Sequence, residues 1–167
     1  WYVYNASIGA ANYLWLDTTA AAAASSGYWN NTAPTSSVVT LGTNFSDTVN
    51  TAVMYSWAEI VGFSKFGSYV GNGAADGPFV YTGFRPRYIM LKEINGAADQ
   101  WVVRDTARDT YNASITSLYA NLSNADDQPA NDQIDILSNG FKIRGTAVQD
   151  NQNGVTYIYM AFAENPF

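Results

Sequence analysis

Large apolar residues alternate with small or polar ones in short runs along this chain, and Gly, Asn, Asp or Pro bounds nearly every run. A period of two predicts half-buried β-strands, and the Gly/Asn punctuation predicts tight turns between them. Asn-Gly is the strongest short hairpin signal. It separates residues 87–94 from 101–105 at Asn95-Gly96, and 134–138 from 141–144 at Asn139-Gly140. A loop ending in Asn153-Gly154 joins 141–144 to 155–163. Further strands are expected at 79–82 and near 118–120. The sum is an antiparallel meander of about seven strands, the pattern of a sandwich or barrel. In the first third, strands are expected at 1–5, 13–16, 38–41 and 52–58. The Ala-rich stretch Thr18 to Gly27 between them reads as a loop with room for one helical turn.

The chain also resembles itself. Thr51-Ala-Val-Met-Tyr-Ser-Trp-Ala-Glu59 matches Thr156-Tyr-Ile-Tyr-Met-Ala-Phe-Ala-Glu164, 105 residues further on. Val53 aligns with Ile158, Trp57 with Phe162 and Ala58 with Ala163. Upstream, "VVTLG" at 38–42 answers "IDILSNG" at 134–140, and "WYVYNAS" at Trp1 answers "WVVRDTA" at Trp101. A fixed period of similarity is the mark of repeat architecture. The expected organisation is a truncated first repeat at 1–61 and a complete second repeat at 62–167. Residues 62–100 form a head segment that the first repeat lacks. Trp1 therefore falls inside a repeat, as in a piece of a longer repeat protein or a chain in which two tails share one head.

That inequality has a physical consequence. A strand at 1–5 without a head strand to pair with presents an open edge, and open edges recruit strands from other chains. A head-to-tail contact of that kind propagates into a filament. Assembly is expected to use the strand bearing Trp1, Tyr2, Val3 and Tyr4, and the head residues Phe79, Tyr81, Tyr88 and Met90. The terminal strand joins them with Tyr157, Tyr159 and Phe162, followed by Pro166 and Phe167.

Composition narrows the chemistry. With 47% hydrophobic and 13% charged residues, the chain has material for a core and too few charges for disorder. Aromatic residues make up 15%, which strengthens the all-β reading. The net charge of −6 and the lack of a basic patch argue against nucleic acid and anionic membrane as partners. Cysteine and histidine are absent. That excludes disulfides, thiol nucleophiles, imidazole bases and His- or Cys-ligated metal. No apolar run is long enough for a membrane-spanning helix.

The remaining candidates are weak. "GSYVGNGAADGP" at 67–78 lacks the Gly-Lys-Ser/Thr ending of a phosphate loop and reads as a surface loop. "DNQNG" at 150–154 is half of a calcium loop without its closing Glu, and reads as a hairpin turn. A glycosidase would need two carboxylates across a cleft, drawn from Glu59, Glu93, Asp105, Asp109, Asp126, Asp127 and Glu164. Glu59 and Glu164 fit strand ends better, and Asp126 and Asp127 fit a solvated loop. Arg104, Asp105, Arg108 and Asp109 are expected to form a surface ion-pair group. No catalytic residue, cofactor or metal is assigned. Trp1, Trp57 and Trp101 fall on strands and are expected in the core. Trp29, in "GYWNNTAP", falls in a loop and is the candidate sugar contact, since a flat aromatic face stacks on a sugar ring. Asn-X-Ser/Thr sequons stand at Asn5, Asn30, Asn44, Asn112 and Asn121, a number that Asn/Ser/Thr-rich composition explains.

Together "GFSKFGSYVGNGAADGPFVYTGFRPRYIMLK", "ILSNGFKIRG" and "TYIYMAFAENPF" resemble a repeat domain of tailed-phage structural proteins of tail-fibre-like type, common in aquatic metagenomes. The resemblance covers nearly the whole chain. It implies an all-β, virion-associated or fibre-forming protein with no established enzymatic activity. The expectation is therefore a non-enzymatic structural protein, located outside the cell or on the virion surface, whose partners are copies of itself. A carbohydrate-binding receptor module that contacts a cell-surface glycan is the alternative.

Overall fold

The computed structural model describes residues 1–45 and 51–165. The described residues form an all-β fold, with three antiparallel sheets, two single-turn helices and one 3-10 turn at Thr43–Phe45.

The largest sheet has five strands: β4 (Ser64–Val70), β6 (Pro86–Glu93), β7 (Val102–Asp105), β8 (Leu118–Tyr119) and β11 (Thr156–Ala163). Their spatial order is β4-β11-β6-β7-β8. A second sheet contains β5 (Phe79–Tyr81), β9 (Ile134–Leu137) and β10 (Gly140–Ile143), in the order β5-β10-β9. Strand alternation sorts side chains between the faces. Tyr157, Tyr159, Ala161 and Ala163 of β11 point inward with Ile89 and Leu91 of β6, and meet Val80, Ile134, Ile136, Phe141 and Ile143 from the second sheet in one core. Gly67 of β4 leaves room for the Tyr159 ring, which a Cβ there would approach to 2.9 Å.

The N-terminal third rides on the opposite face of the five-stranded sheet. β1 (Tyr2–Val3), β2 (Asn12–Trp15) and β3 (Ala23–Ala24) form the third sheet, in that order. Leu14 packs with Trp101 and Ile158, flanked by Val3, Leu16, Met90 and Ile94. The Trp101 indole donates to the Trp15 carbonyl at 2.8 Å, and Lys92 Nζ donates to the Thr19 carbonyl at 2.8 Å. Lys92 is fully buried, and burial pulls its ammonium below the usual range. Helix α1 (Ser26–Trp29) is a single turn: the Ser25 hydroxyl accepts from the Gly27 N–H, and Asn30 in the left-handed region ends it.

Several expectations need correction. Residues 1–5 do not lack a local partner, because Tyr2 pairs with Trp15 and Val3 with Leu14. The turn between β9 and β10 is Ser138-Asn139, with Gly140 already in the strand. The segments 141–144 and 155–163 are not a hairpin, because β10 and β11 lie in different sheets. Helix α2 (Val148–Asn151) carries the crossover between them, so Asp150 and Asn151 are buried rather than placed in an exposed turn or calcium loop. Residues 67–70, read as loop, belong to β4. Residues 38–41 and 52–58, expected as strands, carry none. Trp1 and Trp57, expected in the core, are 62% and 59% exposed, whereas Trp101 is buried as expected.

Candidate contact surface

Every carboxylate weighed for catalysis is held by a neighbour. Glu59 pairs with Lys65 at 2.9 Å, Glu164 with Arg85, and Asp105 with Arg108. Asp126 also reaches Arg108, at 3.3 Å. Glu93 is buried and accepts from the Asp99 N–H at 2.7 Å. Asp127 accepts from the Gln128 N–H. Asp109 ties down the 114–116 loop by accepting from the Ile115 and Thr116 amides and the Ser114 and Thr116 hydroxyls. Burial pushes the Asp109 carboxyl up, and these hydrogen bonds outweigh it and hold the group below the usual range.

Arg104 corrects the expected surface ion-pair group. Its side chain is fully buried, in an ion pair with equally buried Asp132. Asp132 also accepts from Ser117 Oγ at 2.9 Å and from the Gln149 amide. Asp150 lies beside it. Burial, the Asp132 charge and a hydrogen bond to Asp132 together push the Asp150 carboxyl well above its ordinary value. As a carboxylate Asp150 has no donor facing it; protonated, it becomes the donor to Asp132. This cluster is closed to solvent and serves structure. Strand alternation held the signal: Val102 and Arg104 must share a face, so a core Val102 puts Arg104 inside.

The open surface lies on the other side of the five-stranded sheet. Between that sheet and residues 52–59 runs a groove of about 1250 Å³. Tyr88, Met90, Ile158 and Met160 of the sheet line it, together with Trp1, Tyr4, Tyr55 and Trp57. Its volume exceeds that of typical small-molecule pockets. The rim is aromatic: Trp1 stands 6.1 Å from Tyr55, and Tyr55 stacks on Trp57 at 6.2 Å between ring centres. Val53, Met54 and Tyr55 are 70%, 58% and 64% exposed. On the second sheet, edge strand β5 exposes Phe79 and Tyr81.

The residues expected to carry assembly are therefore divided. Trp1, Tyr2, Phe79 and Tyr81 are exposed, and Val3, Tyr4, Tyr88, Met90 and Phe162 are half-buried. Tyr157 and Tyr159 are buried in the core, and β11 is flanked on both sides by β4 and β6. The terminal strand has no free edge to offer, and the same is true of β6. Pro166 and Phe167 lie outside the described residues. Trp29, expected as an exposed sugar contact, is 7% exposed, its ring packed against Phe45 and edge-on to Tyr4. Sequence reasoning missed the wall at 53–57 because those residues match a core strand.

Among the sequons, Asn30 and Asn44 are exposed and Asn5 is half-buried. The Asn112 amide bonds both the N–H and the carbonyl of Ile136. Asn121 accepts from the Trp101 N–H. These last two side chains are committed to the fold.

The described chain is all-β, with three antiparallel sheets and a wide aromatic groove on one face of the largest. The chain belongs to the family described as "Domain of unknown function (DUF7483)", whose match spans residues 1–166. No curated protein and no solved structure matches it. Among the described residues no helix is long and apolar enough to cross a membrane, and no group of three or more Asp and Glu side chains could hold a metal ion.

Proposed function

We propose that this protein is a structural, fibre- or filament-forming protein of extracellular or virion-surface type, whose subunits assemble through β-strand contacts. Its partners are copies of itself, and its work is mechanical rather than enzymatic. The observation that carries the reading is the exposed aromatic and aliphatic surface at Trp1, Val53, Met54, Tyr55 and Trp57. Contiguous apolar surface of this kind marks a site of protein contact. The internal match between 51–59 and 156–164 supports a sandwich-like architecture of about one and a half tandem repeats. The resemblance to tail-fibre-like phage domains agrees with it. That each candidate carboxylate is held by an ion pair or a hydrogen bond supports a non-enzymatic role.

Sedimentation velocity of the full chain across a wide concentration range tests the proposal. Growth into large species with rising concentration is the expected result. A single monomeric species throughout would overturn it.

A second reading, a carbohydrate-binding receptor module, draws on one feature: the exposed ladder of Trp1, Tyr55 and Trp57. Its contact residues would be these three rather than buried Trp29. Glycan binding by the monomer, abolished in Trp57→Ala, would favour it.

A further inference from the structure

We propose that residues 52–58 are a donor strand, received by the open edge of β4 in a second copy of this chain. The inference rests on the assembly reading above and gives it an address.

The donor is built as a strand and used as none. Val53, Tyr55 and Trp57 alternate with Met54, Ser56 and Ala58, which is strand periodicity. The matching stretch, 156–164, contains β11, an eight-residue strand paired on both sides. Yet all of residues 51–59 are exposed. No backbone–backbone hydrogen bond among the described residues reaches them. Their amides are left to water, and the exposed apolar side chains beside them form a surface of the kind that a partner covers. A neighbouring sheet edge satisfies those amides and covers the apolar side chains in one step.

The acceptor follows from length and fit. Among the edge strands of the described residues, β4 has seven residues, against four in β9, three in β5 and two each in β1, β3 and β8. β4 already accommodates a strand of this pattern on its inner edge, where Ser64 to Val70 pair with Phe162 to Thr156. Among the described residues its outer edge makes a single bridge, from Ile60 to Ser64. There Glu59 takes over: its carboxylate accepts the Phe66 N–H at 3.1 Å while pairing with Lys65. A charged side chain on an open edge is a guard against pairing. In the folded subunit Glu59 holds the start of that edge, while 52–58 lines the groove instead. An exposed ion pair is worth little, so an incoming strand displaces it cheaply. Donor and acceptor are different surfaces, so each docked copy leaves one of each free. The contact is heterologous, and where its rotation closes no ring it grows an open filament.

Hydrogen–deuterium exchange of the full chain, dilute and assembled, reads this directly, alongside the variant Tyr55→Pro. Proline removes no existing backbone–backbone bond at Tyr55 but disables a donor strand. The expected result is fast exchange at 53–58, Ser68 and Val70 in dilute protein and slow exchange on assembly. Tyr55→Pro should keep the wild-type fold by circular dichroism and lose assembly. Assembly without protection of 53–58, or undiminished assembly of Tyr55→Pro, would overturn the donor strand and leave the assembly reading standing. Protection of 53–58 already in the dilute monomer would overturn it in favour of pairing within one chain. Absence of assembly at every concentration would overturn both.

Discussion

Arg104 and Asp132 form an ion pair sealed from water, with both side chains fully buried. Such a pair stabilises little in net terms, because desolvation offsets attraction, but breaking it strands a charge. Arg104→Leu leaves Asp132 without its cation and beside Asp150. A loss of about 3–5 kcal/mol is expected, read from urea denaturation. The double variant Arg104→Leu/Asp132→Leu should lose less than Arg104→Leu alone. An equal or greater loss would show that the pair is not the unit that matters.

Asp150 gives the fold a pH dependence of definite sign. Burial first, and then Asp132, raise its carboxyl well above the ordinary value, so its folded pKa exceeds its unfolded one. The contribution of such a group is full below the unfolded pKa and is lost as pH rises through the folded one. Melting temperature should therefore fall from mildly acidic toward alkaline pH. Asp150→Asn, which cannot ionise, should flatten that decline. Equal slopes for wild type and variant would refute the assignment.

Trp101 and Trp57 test burial against exposure. Trp101 is 4% exposed and hydrogen-bonded to Trp15, whereas Trp57 is 59% exposed. Trp101→Ala should cost about 3–5 kcal/mol. Trp57→Ala should leave monomer stability within about 0.5 kcal/mol while weakening assembly. Thermal melts and sedimentation of both variants separate the two effects.

Gly145 is required by a neighbour. A Cβ there would lie 1.8 Å from the Asn131 carbonyl oxygen, a clash only backbone movement relieves. That carbonyl also accepts the Thr146 and Ala147 amides at the start of the β10–β11 crossover. Gly145→Ala should destabilise by about 1–3 kcal/mol, measurable by thermal melting.

The sequence made β5, β6, β7, β9, β10 and β11 legible because each carries its own apolar periodicity between turn residues. β4 was hidden: "SKFGSYV" contains Gly, Ser and Lys, and register with β11 holds it rather than its own apolar content. An Asn-Gly at 72–73 marks its end, a turn signal lost in the surrounding glycines. The opposite happened at 51–59. The sequence reads as strand and the chain shows none, because strands form by pairing and no described strand pairs with it. Arg104 was misread by looking at its charged neighbours in sequence rather than at its face of the strand. The open groove was invisible because its wall comes from residues that read as core.

Electron microscopy of the purified full chain, with a subunit-resolved map where fibres form, tests the central claim most directly. The expected result is filaments in which residues 52–58 of one subunit extend the β4 edge of the next. Compact monomers at every concentration, with that edge bare, would contradict it.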